Sequence, residues 1–283
     1  MSATLASPGP LGRLRGVDPV LLGSGLVAIV IVLIALIAPF IAPYDPYASD
    51  ILAAEGAPSA FHLLGVDSLG RDILSRLLHG AQASLLGPLC VSVFSVAIGA
   101  AIALSSVWIG GAFNAISTRG LDVLFAFPSM LVAILAVAMF GAGTVAPVVA
   151  LSIAYAPYVA HVVKSSLIRE VNLPYIEACR LLGYSGLRIC LLHLLPNARG
   201  IIVAQATIIF ASALMDLAAI SFLGLGAQSP SSQWGLMVQE GSIELFNGAP
   251  QQSLAAGIVI VVTVVAFNVL GERLNNHMSE VRR

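Results

Sequence analysis

Charge is scarce in this chain. Asp, Glu, Lys and Arg make up 10% of its 283 residues and hydrophobic residues 58%, whereas soluble domains carry about 25% charged residues. So little polar surface cannot cover a water-soluble globule. Lysine is scarcer still: Lys164 is the single one and follows Val163. A phosphate-cradling loop of the form G-x-x-x-x-G-K-[ST] needs a lysine preceded by glycine, so the chain holds no such loop and is not itself an ATPase. Cys90, Cys179 and Cys190 are odd in number and lack CxxC spacing, which indicates neither a disulfide framework nor a zinc site. No two histidines stand three or four residues apart, so a helix-borne metal pair is also missing. The formal net charge of -1 offers no basic excess for nucleic acid and no acidic arm.

What the chain has instead is long apolar runs, and its mean hydropathy is +0.97. A bilayer core about 30 Å thick needs ~20 apolar residues per helical span. The first run, Val20 to Ala42, exceeds the ~7 to 15 residues of a signal-peptide core and has no A-x-A exit. It reads as a retained anchor behind a polar, poorly ordered lead, Met1 to Asp18. A polar stretch from Tyr44 to about His79 precedes a second span, Ala83 to Ile109, stopped by Gly110 and Gly111. Asp122 to Lys164 is free of charge between its ends and has Gly141, Gly143 and Pro147 at its centre, as a hairpin of two spans would: Leu121 to Phe140 and Thr144 to Val163. A fifth span, Ile201 to Leu223, and a sixth, Leu254 to Leu270, are separated by a Pro/Ser/Gly-rich loop, and a polar tail runs from Glu272 to Arg283.

The expected fold is thus an all-α polytopic membrane protein of six transmembrane helices. Its parts would be a cytoplasmic lead (1–19), a first span (20–42), an extracytoplasmic segment (43–80) and a core of five spans (81–283). With the N-terminus inside, 11 of the 13 Lys and Arg residues fall in inner segments, leaving only Arg71 and Arg76 outside. Cytoplasmic loops carry that excess, so both termini are expected in the cytoplasm. In the second span Ala97, Ala101 and Ser105 form one small-xxx-small row, and Gly99 and Ala103 another; such rows let backbones approach, although abundant alanine alone also generates them. Trp108 and Trp234 suit interfacial positions.

The charged stretch 164–199 is patterned as helix. Asn172 and Pro174 mark a start, Tyr175 to Leu182 would be helical, and Gly183 stands where a left-handed residue ends a helix. Ser185 could cap a second helix that Pro196 ends. Two short helices would form a compact cytoplasmic docking knob without catalytic residues. His161, His193, Asp122 and Glu170 near the inner interface read as snorkelling or solvated side chains.

Glu177-Ala178-Cys179, then Gly183, then Leu195-Pro196 resemble the EAA loop of ABC importer permeases, with Cys179 where that loop has Ala. Leu64-Gly65-Val66-Asp67-Ser68-Leu69-Gly70-Arg71-Asp72-Ile73-Leu74-Ser75-Arg76 resembles the LGTDxLGRDxxSR signature of the peptide and nickel group. Ser221-Phe222-Leu223-Gly224-Leu225-Gly226 and Trp234-Gly235 are similar to its SFLGLG and WG segments. The resemblance covers about Phe61 to Gly241, on the side of the C-type subunits of dipeptide permeases. In departure from that pattern, Ser229-Pro230-Ser231-Ser232 replaces a PPxP and Asp216 replaces a Glu.

The resemblance implies a bacterial plasma-membrane importer subunit for dipeptides or short oligopeptides, or for nickel complexes or opines. It implies a second permease subunit, an extracytoplasmic solute-binding protein and separate ATP-binding subunits that hold the ATP and Mg, this chain having no cofactor. Glu177, Ala178, Cys179, Gly183, Leu195 and Pro196 would then couple to the ATPase between the fourth and fifth spans. Asp216, Arg71, Asp72 and Trp234 would be candidates for pathway or receptor contact. Read from the residues alone, Arg71 between Asp67 and Asp72, with Arg76 four residues after Asp72, also fits a self-paired surface helix. Asp216 is an acid within a span; it could meet a peptide ammonium, cap a broken helix or pair with a partner chain. A self-sufficient secondary transporter or channel would instead show ionisable residues in several spans.

Overall fold

A computed structural model describes residues 19–280, with side chains described as far as Asn276. The expected lead Met1 to Asp18, and Arg282 and Arg283 of the tail, lie outside the described residues. Helix dominates: α1 (Pro19–Ile41), α2 (Ile73–Ile109), α3 (Gly111–Phe125), α4 (Ser129–Phe140), α5 (Val145–Val171), α6 (Pro174–Leu181), α7 (Gly186–Ile189), α8 (Leu195–Phe222), α9 (Trp234–Glu240) and α10 (Gln251–Glu280). Among the described residues, five helical runs are long and apolar enough to cross a membrane, namely α1, α2, α5, Gly186–Phe222 and Gln251–Asn276. A sixth exists only if α3 and α4 count as one span, and these two are bent by 78°.

That bend corrects the expected third span, Leu121 to Phe140, which is not one continuous helix. Pro128 has no N–H to donate and disfavours helical geometry at Phe127. The helix therefore stops at Phe125 and restarts at Ser129.

α2 differs from expectation in the other direction. It begins at Ile73, well before Ala83, because Asp72 accepts a hydrogen bond from the Ser75 amide at 2.8 Å and caps it. Its 37 residues rise about 55 Å at 1.5 Å each, more than a bilayer core requires. Ser92, Ser95, Gly99, Ala103 and Ser106 are its buried face. A Cβ on Gly99 would lie 2.7 Å from the Ala156 carbonyl oxygen, so α5 can pack this closely only against glycine. Of the two small-residue rows, Gly99 and Ala103 pack, whereas Ala97 and Ala101 are exposed.

Two cores result. One joins α2, α4, α5 and α8 to α6 and α7 through Leu151, Val163, Leu167, Ile176, Ile189 and Leu194. The other joins α1, α8, α9 and α10 to the first turns of α2 around Ile73, Phe210, Trp234 and Met237. Outside them, Leu26, Ile29, Leu33 and Leu36 of α1 and Leu254, Ile258, Val261 and Val265 of α10 are exposed. Apolar bands of this extent would be untenable in water and suit hydrocarbon. At one end of the bundle, called here the loop end, residues 42–72 and α9 form a cover. At the other, the knob end, α6 and α7 project.

Candidate functional site: the knob, the charge cluster and Asp216

Pro174 sits in the first turn of α6, where its missing N–H costs nothing. Ile176 and Cys179 are buried against the bundle, while Glu177 and Ala178 are exposed and Leu181 and Leu182 retain 85% and 71% of their accessible surface. The helix closes as the spacing predicts. Gly183 has φ +78°, its amide bonds to the Arg180 carbonyl at 3.0 Å and the Tyr184 amide to that of Cys179 at 3.1 Å, the two bonds of a Schellman motif. A polar triangle fixes α6 to its neighbours: the Tyr175 hydroxyl donates to Glu170 at 2.5 Å, and Asn197 Nδ2 reaches Glu170 at 2.7 Å and Tyr175 at 2.8 Å. Burial, reinforced by Glu170, pushes the Tyr175 hydroxyl up to about 12, so it stays a neutral donor.

Ser185 caps α7 as expected, accepting from the Arg188 amide at 3.4 Å. Pro196, however, does not end the second helix. Cys190–Leu194 is a π-helical segment, and the Leu195 amide bonds back to the Cys190 carbonyl. That widened turn accommodates a proline that would otherwise clash with the preceding turn. Leu195 and Pro196 thereby open α8, and the knob runs into a span without a break.

At the loop end the signature residues 64–76 form a buried charge cluster. Arg71 Nε lies 2.7 Å from Asp67 and Arg76 Nη1 2.5 Å from the same carboxylate. Glu240 of α9 receives Arg76 at 2.9 Å and Arg71 at 3.2 Å. Asp67 also accepts from the Leu69 and Arg71 amides, which fixes the turn before α2. Asp72 caps α2 and meets His62 Nδ1 at 2.9 Å. Asp67 and Arg76 are fully buried and Arg71 and Asp72 nearly so. The expected exposed helix with a side-chain pair between Asp72 and Arg76 does not form, because Arg76 turns inward to Asp67 and Glu240.

The SFLGLG and WG segments are structural punctuation in the same layer. Gly224 (φ +76°) ends α8 in a second Schellman motif, with its amide on Ser221 and that of Leu225 on Ile220. Trp234 does not present its ring to lipid: it is 2% exposed, its indole donates to the Leu77 carbonyl at 2.9 Å and its amide to Ser84 at 2.9 Å. A Cβ on Gly235 would stand 2.5 Å from the Ala218 carbonyl oxygen, so α9 lies directly on α8.

Asp216, half-buried in α8, accepts from the Tyr155 hydroxyl at 2.8 Å and from the Ser129 hydroxyl at 3.0 Å. It thus holds the restart of α4, just past the break, to α5 and α8. An apolar groove of about 650 Å³ lies farther along α4 and α5, lined by Val132, Ala136, Phe140, Val149 and Ile153 among others. Asp216 is not among the residues lining it.

Comparison with known families agrees with this architecture. The model of the family described as binding-protein-dependent transport system inner membrane component matches residues 95–280. The chain belongs to this family. A second match, the N-terminal TM domain of oligopeptide transport permease C, covers residues 18–58, so the permease is of the oligopeptide/dipeptide C type. It is 37% identical to the di/tripeptide transport system permease protein DppC of Pseudomonas aeruginosa (strain UCBPP-PA14) over 262 residues, 90% of this chain and 86% of that one. It is 38% identical to the glutathione transport system permease protein GsiD of Escherichia coli O1:K1 / APEC over 258 residues, 89% of this chain and 84% of that one. The permease is accordingly a multi-pass inner-membrane transport component, not an enzyme, and the family assigns it no cofactor.

Sequence reasoning on the permease missed Glu240, the acid that completes the loop-end cluster from far along the chain, and Glu244, which accepts the Ser68 amide at 3.0 Å. The available signal was charge balance. With Arg71 and Arg76 expected outside, acids on the other outer loop were natural partners. The Glu170–Tyr175–Asn197 triangle was missed too, because an acid near the inner interface reads in sequence as a snorkelling or solvated side chain.

Proposed function

We propose that this chain is a translocation subunit of an ATP-driven importer of short peptides, with both termini and the knob cytoplasmic and α3 and α4 together forming a sixth, broken span. It forms the pathway with a second permease subunit, receives substrate from an extracytoplasmic binding protein, and is driven by separate ATP-binding subunits that bind the nucleotide and Mg. α6 is the coupling helix. The observation that carries this reading is its one-sided burial: Ile176 and Cys179 anchor it, while Glu177, Ala178, Leu181 and Leu182 face away from the chain. Exposed leucines beside a helix this firmly anchored fit a protein partner.

Dipeptides, tripeptides and glutathione, itself a tripeptide, share backbone amides and charged ends. The names of the relatives therefore support one substrate class, short peptides. Arg71 and Asp72, buried and paired, act as scaffold for the receptor-facing layer, and Trp234 does the same from α9. Asp216 braces the broken span with one carboxylate oxygen, leaving the other as the candidate contact for a peptide ammonium.

Purification of the tagged chain from its native membrane tests this. A Walker-motif ATPase and a second permease are expected to accompany it, and Glu177→Arg or Gly183→Val should reduce recovery of the ATPase. In liposomes, a tripeptide with its binding protein should stimulate ATP hydrolysis. Recovery of the intact chain alone would favour a self-sufficient transporter and sink the importer reading.

A further inference from the structure

The knob is continuous through the backbone with α5 at one side and with α8 at the other, so any displacement of it acts on those two spans directly. α2 has no such covalent link, yet it packs on both α5 and α8 and is 37 residues long. At its last turn stands Trp108, half-buried. The Arg180 guanidinium of α6 lies over the Trp108 ring, 5.2 Å from its centroid, within range of a cation–π attraction. Gly186, the first residue of α7, is pressed so closely onto the Trp108 indole that even a Cβ there would collide with the ring. One rigid side chain thus touches both helices of the knob.

From Trp108 the same helix, with Pro88 inside it, runs to Ile73, and its first turns are locked by Arg76 to Asp67 and Glu240 beneath the loop-end cover. α2 therefore joins the knob to the opposite end of the bundle within one helical segment, held along its length by α5 and α8. We infer that Trp108 is a positioning residue for transport: through Arg180 and Gly186 it makes α2 follow the coupling helix, and so carries the movement of the knob to the loop end. The inference rests on the reading of the knob as the ATPase dock. It adds a residue outside the docking surface on which the use of ATP for transport depends.

The assembled importer in proteoliposomes, with its binding protein and a labelled tripeptide, is the test, comparing wild type with Trp108→Ala and Trp108→Phe. Recovered ATPase subunit, ATP hydrolysed and tripeptide moved inside are measured on each preparation. Trp108→Ala is expected to retain its ATPase subunit while tripeptide moved per ATP falls about five-fold or more, the lower end of ordinary coupling between linked sites. Trp108→Phe, which keeps a ring under Arg180, should recover most of that ratio. An unchanged ratio in Trp108→Ala overturns the inference. So does a loss of ATPase recovery in step with transport, which would make Trp108 a support for the fold of the knob. A wild-type preparation that brings no ATPase would overturn the docking reading itself, and this inference with it.

Discussion

At the loop end Asp67, Arg71, Asp72 and Arg76 are buried, and Asp67, Arg71 and Arg76 are tied to one another and to Glu240. At the knob end Glu177, Arg180 and Arg188 are exposed. Both segments are dense in charge for so apolar a chain, but they put it to opposite uses. Burying ions is costly, and a balanced set of two acids and two bases is tolerable only in one geometry. The loop-end charges therefore specify where residues 44–72 and α9 sit relative to the first turn of α2. Exposed charges contribute little to folding, so the patterned surface of the knob is better explained by a partner than by the stability of the chain.

The largest expected effect lies in the cluster. Arg76→Met leaves Asp67 and Glu240 facing one another with Arg71 alone, and removal of one buried partner costs about 3–5 kcal/mol. Thermal unfolding in detergent, followed by tryptophan fluorescence in a Trp108→Phe background so that Trp234, whose indole bonds to the neighbouring Leu77, reports alone, should show a large loss. Adding Asp67→Asn restores neutrality around Arg71 and Glu240, and its side-chain oxygen can still accept the Leu69 and Arg71 amides, so part of the loss should return. An Arg76→Met protein as stable as wild type would erase the contrast between the two ends.

Glycines sharpen it at smaller scale. Gly235→Ala forces a methyl group against the backbone of α8 around Ala218, an overpacking worth about 1–3 kcal/mol. At Gly183 a Cβ meets nothing within 4 Å, and only the left-handed backbone, φ +78°, disfavours a side chain, at about 1–2 kcal/mol. Denaturation of both variants is the comparison. Gly183→Ala more damaging than Gly235→Ala would mean that the knob is packed more tightly than its exposure indicates.

Much of this was legible in the sequence, and the failures have identifiable causes. Apolar run length and the gaps between charged residues located five of the apolar helices, though not the break between α3 and α4. The start of α6 and its glycine stop were readable because Pro174 and Gly183 act through the local backbone. Local rules failed where a distant residue decided. Arg76 was expected to pair with Asp72 four residues away, but it turns instead to Asp67 and to Glu240 of α9, while Asp72 caps α2 and starts it earlier than its apolar run. Pro128 and Pro196 show the same limit from another side. Each removes one donor, yet one separates two helices bent by 78° while the other is absorbed by a π-helical turn, according to what packs around it.

The smallest expected effect on stability is at Leu182. The side chain is 71% exposed and sits at the end of α6 in helical geometry, φ -73° and ψ 0°, which serine adopts without strain. Leu182→Ser should therefore leave the unfolding midpoint nearly unchanged, within about 0.5 kcal/mol as for other exposed positions. Recovery of an ATPase with the purified chain should nonetheless fall, since an exposed leucine next to Leu181 is of use only to a surface that covers it. A clear loss of stability would show instead that this face packs within the chain, as the loop end does. Unchanged stability together with unchanged recovery would put the dock elsewhere on the knob, toward Leu187 and Arg188, which are also exposed.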